Sequence, residues 1–313
     1  MRLRISSAPA SPSVRMIFDE APAKDDRIQP LTRAVLIGVV PFLLLAFAIL
    51  YFFPQTSGAR FAWAINPPMT ALFIGAGYLG GAYQFVRLIF GTQWHRYGMA
   101  FLPVSMFTVA MLAATVLHWD RFDLHHFPFQ LWLVLYLLTP VVIPWLWMRN
   151  RRTDPRAPEA GEVLLPLAVN RLFGILGVLV LAGAAAVFVK PQWAIEIWAW
   201  KLTPLTARVL AGWFALMGVG SLVLFSERRW SACRVALQSF GLWHVLVLGG
   251  ALWHVEDFGA RGLMNGYIVA TIAGLSGMAL LYALMEKRRL SSFITAEGHA
   301  GETSHHAHHA RGR

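Results

Sequence analysis

Residues 230–258, WSACRVALQSFGLWHVLVLGGALWHVEDF, repeat the layout of residues 94–122, WHRYGMAFLPVSMFTVAMLAATVLHWDRF, 136 positions earlier (230 minus 94). Each stretch opens on Trp, holds an apolar run of the length that crosses a bilayer core, about 20 residues, and closes on His, an acid and Phe. Working outward, the same offset pairs Gly38 with Gly174, Phe52 with Phe188, Pro68 with Pro204 and Thr70 with Thr206. A register kept across four apolar segments, loops included, points to duplication of a four-helix unit.

Apolar stretches recur at 33–53, 68–92, 98–118, 129–148, 171–189, 205–226, 231–253 and 263–285. With 57% hydrophobic and 14% charged residues, the chain has too little polar surface for a soluble globule of 313 residues. The expected fold is an all-α integral membrane protein of eight transmembrane helices. Each repeat has an even number of spans, so both enter and leave on one side and the repeats are parallel.

The expected organisation is a flexible cytoplasmic arm over 1–32, a membrane repeat over 33–148, a linker over 149–170, a second repeat over 171–285 and a His-rich tail over 286–313. The net charge of +11 follows from topology. With a cytoplasmic N terminus, only Arg60, Arg121, Lys190, Lys201, Arg208 and Arg261 of the 27 Lys and Arg fall on the outer side. This positive-inside bias places both termini in the cytoplasm and needs no nucleic-acid partner. A bacterial inner membrane is the expected location, with the bilayer and other membrane subunits or further copies of the chain as partners.

On the outer side, residues 191–204, PQWAIEIWAWKLTP, read as a short interfacial helix with Trp193, Trp198 and Trp200 at headgroup depth. Pro68 and Pro204 are placed to open the next spans. Ala76 with Gly80, and Gly77 with Gly81, form two overlapping small-residue pairs suited to close helix packing. Cys233 stands alone, which excludes a disulfide framework.

None of the 16 acidic residues lies near the middle of a span, which counts against a carboxylate-driven ion-coupled carrier. A solute conduit would have a polar-lined path involving Gln84, Thr108, Gln238, His244 and Asn265. His244 has Thr108 at the equivalent position, so a bis-histidine haem across the core gains no support. The outer ends LHWDRF (117–122) and WHVEDF (253–258) place His118 with Asp120 and His254 with Glu256. Imidazole beside carboxylate suits a transition metal.

Phosphate-binding glycine loops, nucleophile elbows and zincin helices are absent from the sequence. The leading expectation is a non-enzymatic conduit for a small solute or a membrane scaffold. The alternative is a redox protein with a transition metal or haem at the outer ends of the third and seventh spans. The five tail histidines, His299, His305, His306, His308 and His309, offer a separate metal-binding tract.

Overall fold

The computed structural model describes residues 24–310 apart from residue 160, with side chains as far as Ser292. Among the described residues, eight helices are long and apolar enough to cross a membrane. They are α1 Pro30–Phe52, α2 Pro68–Ile89, α3 Phe101–Leu117, α4 Phe127–Asn150, α5 Leu167–Val189, α6 Pro204–Ser226, α7 Trp230–Trp253 and α8 Arg261–Ala310. The chain is a multi-pass helical membrane protein.

Pro30, Pro68 and Pro204 occupy the first position of their helices, where a missing N–H costs nothing. At the start of α6, the Thr203 hydroxyl accepts from the Thr206 amide at 3.2 Å, and the Thr206 hydroxyl accepts from the Thr203 amide at 2.8 Å. Two orphan donors are thereby satisfied reciprocally. The span of α8 extends to Ser292 and its helix continues to Ala310, past the expected end at 285. A short helix forms over Gln192–Ile197, within the stretch expected to hold one. Trp193 is exposed, whereas Trp200 is buried against Phe258 and Tyr267 and donates its indole N–H to Thr70 Oγ1 at 2.8 Å.

The helices pair in a definite pattern. α2 packs on α1 and α7, α6 packs on α5 and α3, α4 covers α3, and α8 covers α7. The four central helices are therefore α2, α3, α6 and α7, and the contacts α2–α7 and α3–α6 both join the first half of the chain to the second. Lipid is as apolar as leucine, so this association relies on close dispersion packing rather than on expulsion of water. Glycines permit the approach. The Trp213 ring lies over Gly77, where a Cβ would come within 2.5 Å of it. Ser239 on α7 donates to the Gly80 carbonyl at 2.7 Å.

α5 is held mainly by α6 through one such seam. A Cβ on Gly218 would lie 2.8 Å from the Leu181 amide nitrogen, and one on Gly177 would lie 3.0 Å from the Gly218 carbonyl. The obstructing atoms are backbone, so relief requires α5 to move. Gly218→Leu is expected to destabilise by about 1–3 kcal/mol and to expose α5 to proteolysis. Thermal unfolding in detergent checks this, with Gly183→Leu, whose Cβ would meet nothing within 4 Å, as control.

On the side of the inter-half linker, the last turn of α4 is tied to the start of α1. Asn150, fully buried, donates to Thr32 Oγ1 at 2.6 Å and to the Leu146 carbonyl at 2.7 Å, and accepts from the Gln29 amide at 3.0 Å. Of the expected arm, Asp26 and Ile28 are buried on this side, and residues 1–23 lie outside the described residues.

Candidate functional site

Above that tie, α1 and α4 have no extensive contact with each other. Between them lies a crevice with a cavity of about 210 Å³, walled by Phe42, Leu45 and Ile49 of α1 and by Leu131, Leu135 and Ile143 of α4. From Pro128 to Ile143 the α4 wall rises roughly 22 Å at 1.5 Å per residue. That is most of a hydrocarbon core of about 30 Å. Gly77, Gly80 and Gly81 of α2 make part of its floor, with Phe107 of α3, Trp213 of α6 and Trp243 of α7 behind them.

Few polar groups reach this apolar space. The Tyr78 and Tyr136 hydroxyls pair at 3.0 Å, deep in the bundle. One hydroxyl donates to the other, so the acceptor of the pair retains a proton to give. Gln84 donates to the Tyr97 carbonyl at 3.3 Å, but its Oε1 is buried without a hydrogen-bond partner. Deep along α2 the crevice thus holds one available donor and one unsatisfied acceptor, while the Arg60 guanidinium, stacked on Phe53, lines it from the connection after α1. A large apolar cavity with a few convergent polar groups is the usual form of a small-molecule site.

A second cavity, of about 280 Å³, lies between α2, α6, α7 and α8. His244 lines it beside Phe214, Trp243, Tyr267 and Thr271. Its Nδ1 hydrogen-bonds the Phe240 carbonyl at 2.8 Å and must be the donor, which in the neutral ring leaves Nε2 as the acceptor nitrogen. Trp243 borders both cavities and separates them.

The five polar residues expected along one path do not share a site. Gln84 and Thr108 line the first cavity, and His244 lines the second. Gln238 is spent on structure: it accepts from Tyr83 at 2.7 Å and Arg87 at 3.1 Å, and donates to Tyr282 at 2.7 Å. Asn265 is exposed near the start of α8.

The outer histidines also have different neighbours. Arg208 at the start of α6 donates to His118 Nε2 at 2.8 Å. Burial and the Arg208 charge hold the His118 imidazole below its usual range, so the ring is neutral at pH 7. Asp120 pairs with Arg121 at 3.3 Å, well exposed. His254 instead sits near the start of α2, its Nδ1 lying 3.2 Å from Glu256 Oε1 but too misaligned to make a hydrogen bond. Asp257, absent from the sequence-based expectation, joins His254 and Glu256 in a group whose donor atoms lie within 4.8 Å of one another. It also accepts from the Met69 amide at 2.7 Å, and burial pushes its carboxyl above the ordinary value. The structure therefore gathers His254 and Glu256 and leaves His118 and Asp120 outside that group. The five tail histidines lie beyond the described side chains.

No known family model, curated protein or solved structure matches the chain. Any functional reading therefore rests on the geometry above.

Proposed function

We propose that this protein binds and carries a membrane-soluble apolar small molecule, admitted sideways from the bilayer through the gap between α1 and α4. The single observation that carries this reading is the crevice itself: lipid-facing, apolar along most of the membrane depth, and supplied with an unsatisfied acceptor at Gln84 and a spare donor at the Tyr78–Tyr136 pair. The chemistry fits a long apolar body with a hydroxyl or carbonyl group. It does not fit a hydrated ion, whose pathway needs charged or densely polar lining.

The same reading takes the molecule as two parallel four-helix repeats about an axis along the membrane normal. Residues at equivalent positions of two copies can touch only near such an axis. Gly77 and Trp213, 136 positions apart, are in contact deep in the bundle, and His95 and Ser231, also 136 apart, are 3.1 Å apart on the linker side. The two cavities then correspond: Gly77, Tyr78, Gly81, Thr108 and Leu135 of the first match Trp213, Phe214, Met217, His244 and Thr271 around or beside the second. Duplication followed by divergence at these positions leaves a glycine-floored crevice in one half and an aromatic, histidine-bearing pocket in the other. With the Lys and Arg excess on the linker side, that side is cytoplasmic.

The test is what travels with the protein. Extraction of the protein purified in mild detergent, followed by mass spectrometry, is expected to yield an apolar molecule in near-stoichiometric amount and enriched over bulk lipid. Gly81→Phe should abolish it without unfolding the chain, because a Cβ there meets nothing closer than Leu43 at 3.8 Å and the ring enters the crevice. No enrichment in the wild type, or equal retention in the variant, would falsify the carrier reading and leave the scaffold.

A further inference from the structure

On the linker side, charged residues of the arm, the α2–α3 connection and the linker, with a serine of α7, converge on one buried imidazole. His95 lies in the short turn Trp94–Arg96, with its side chain only 3% exposed. Its Nδ1 bonds the Asp26 carboxylate, whose other oxygen accepts the His95 amide at 3.0 Å. The acid fixes the ring: Nδ1 carries the proton toward Asp26 and Nε2 faces the opposite way.

Facing Nε2 are Ser231 Oγ at 3.1 Å and Glu159 Oε2 at 3.5 Å. Glu162 completes the group, with one donor atom from each of His95, Glu159 and Glu162 lying within 4.8 Å of the others. Two ligands each about 2.0–2.1 Å from a tetrahedral ion stand roughly 3.4 Å apart. The His95–Glu159 separation, 3.5 Å, is close to that value and is long for a hydrogen bond. The carboxylates are themselves oriented: Arg96 donates to Glu159 at 2.6 and 3.1 Å, and Ser231 donates to Glu162 from its hydroxyl and, at 3.1 Å, its amide.

We propose that His95 Nε2, Glu159 and Glu162 form a binding site for a first-row divalent transition ion such as zinc, with Asp26 as the positioning residue behind the imidazole. A carboxylate holding the far nitrogen of a ligating histidine is the usual outer shell of such sites. One imidazole and two carboxylates suit zinc, manganese or iron(II). The ion would clip the inter-half linker, which carries both glutamates, to the α2–α3 connection and to the arm that carries Asp26. Arg96, 41% exposed, bonds the same Glu159 oxygen that faces His95 Nε2 and would have to release it to the ion. The inference uses none of the crevice residues, so either reading can fail alone.

The full chain carrying glutamine at the five tail histidines, titrated with zinc and then cobalt(II) in detergent, provides the test. One ion per chain is expected, with a melting temperature that climbs with metal concentration because the ion binds only the folded state. Cobalt absorption should report nitrogen and oxygen ligands. His95→Ala should remove the site, Asp26→Asn should weaken it by about 10–100-fold, and His254→Ala should leave it intact. Should His95→Ala fail to fold, Glu159→Gln on the linker decides. Unchanged affinity in Glu159→Gln, no binding at all, or loss of the ion in His254→Ala would each overturn the proposal.

Discussion

Trp243→Ala is expected to lower stability by about 3 kcal/mol and to fuse the two intramembrane cavities into one. The indole is buried between Phe73, at 5.3 Å between ring centroids, and Trp213, at 5.1 Å, and its N–H donates to the Phe73 carbonyl at 3.2 Å. Truncating such a ring removes its dispersion contacts and leaves a void that the neighbouring backbone cannot close. The estimate sits at the low end of the range for Trp→Ala because a chain in lipid gains no water-transfer term from burying the ring. Two measurements check it: a fall in the melting temperature in detergent, and retention by the variant of a bulkier apolar molecule than the wild type holds. Trp243→Phe keeps a ring in the partition and should restore most of both. A variant that holds only what the wild type holds would mean that the ring does not divide the two spaces.

Much of the helix framework is legible in the sequence because its signals are local. A span is a run of apolar residues, and Pro68 and Pro204 mark helix starts whatever lies around them. Gly77 and Gly80 likewise announce close packing, although only the structure identifies Trp213 and Ser239 as what they admit. The crevice left no such trace. It arises because α1 and α4 stay apart, and the residues lining the gap have the same apolar character as residues facing lipid. The linker-side cluster escapes for another reason: Asp26, His95, Glu162 and Ser231 lie tens of residues apart and fit no motif until the helices assemble. Matched sequence also misled at the outer ends, where His118 and His254 occupy equivalent positions. Arg208 meets the first, where the other copy has Leu72, and Asp257 accompanies the second, where the first copy has Arg121, so the two histidines match while the charges around them do not.

Arg229→Met is expected to cost about 3–5 kcal/mol at neutral pH, and the cost should shrink in acid. The guanidinium is only 8% exposed and clamps two connections. It donates to Asp154, next to the end of α4, at 3.1 and 3.2 Å, and to Glu227, between α6 and α7, at 2.6 and 3.0 Å. Removing the cation strands two carboxylates that are 18% and 22% exposed, and breaking a pair that is largely buried typically costs about that much. Burial pushes the Asp154 carboxyl up, but hydrogen bonds from Arg229 and the Arg156 amide, with the Arg229 charge, outweigh it and hold the group below its ordinary value. A depressed folded pKa means that this contribution is present above the unfolded carboxylate range, about 4, and is lost as pH falls through the lower folded value. Asp154→Asn should therefore destabilise at pH 7 and approach the wild type in strong acid, while Arg229→Met should recover part of its loss once both acids are protonated. Melting curves from pH 7 down to about 3 for the two single variants and the double variant separate the pair from its surroundings. If the two single losses simply add, with no pH dependence, Arg229 holds the loops by packing alone.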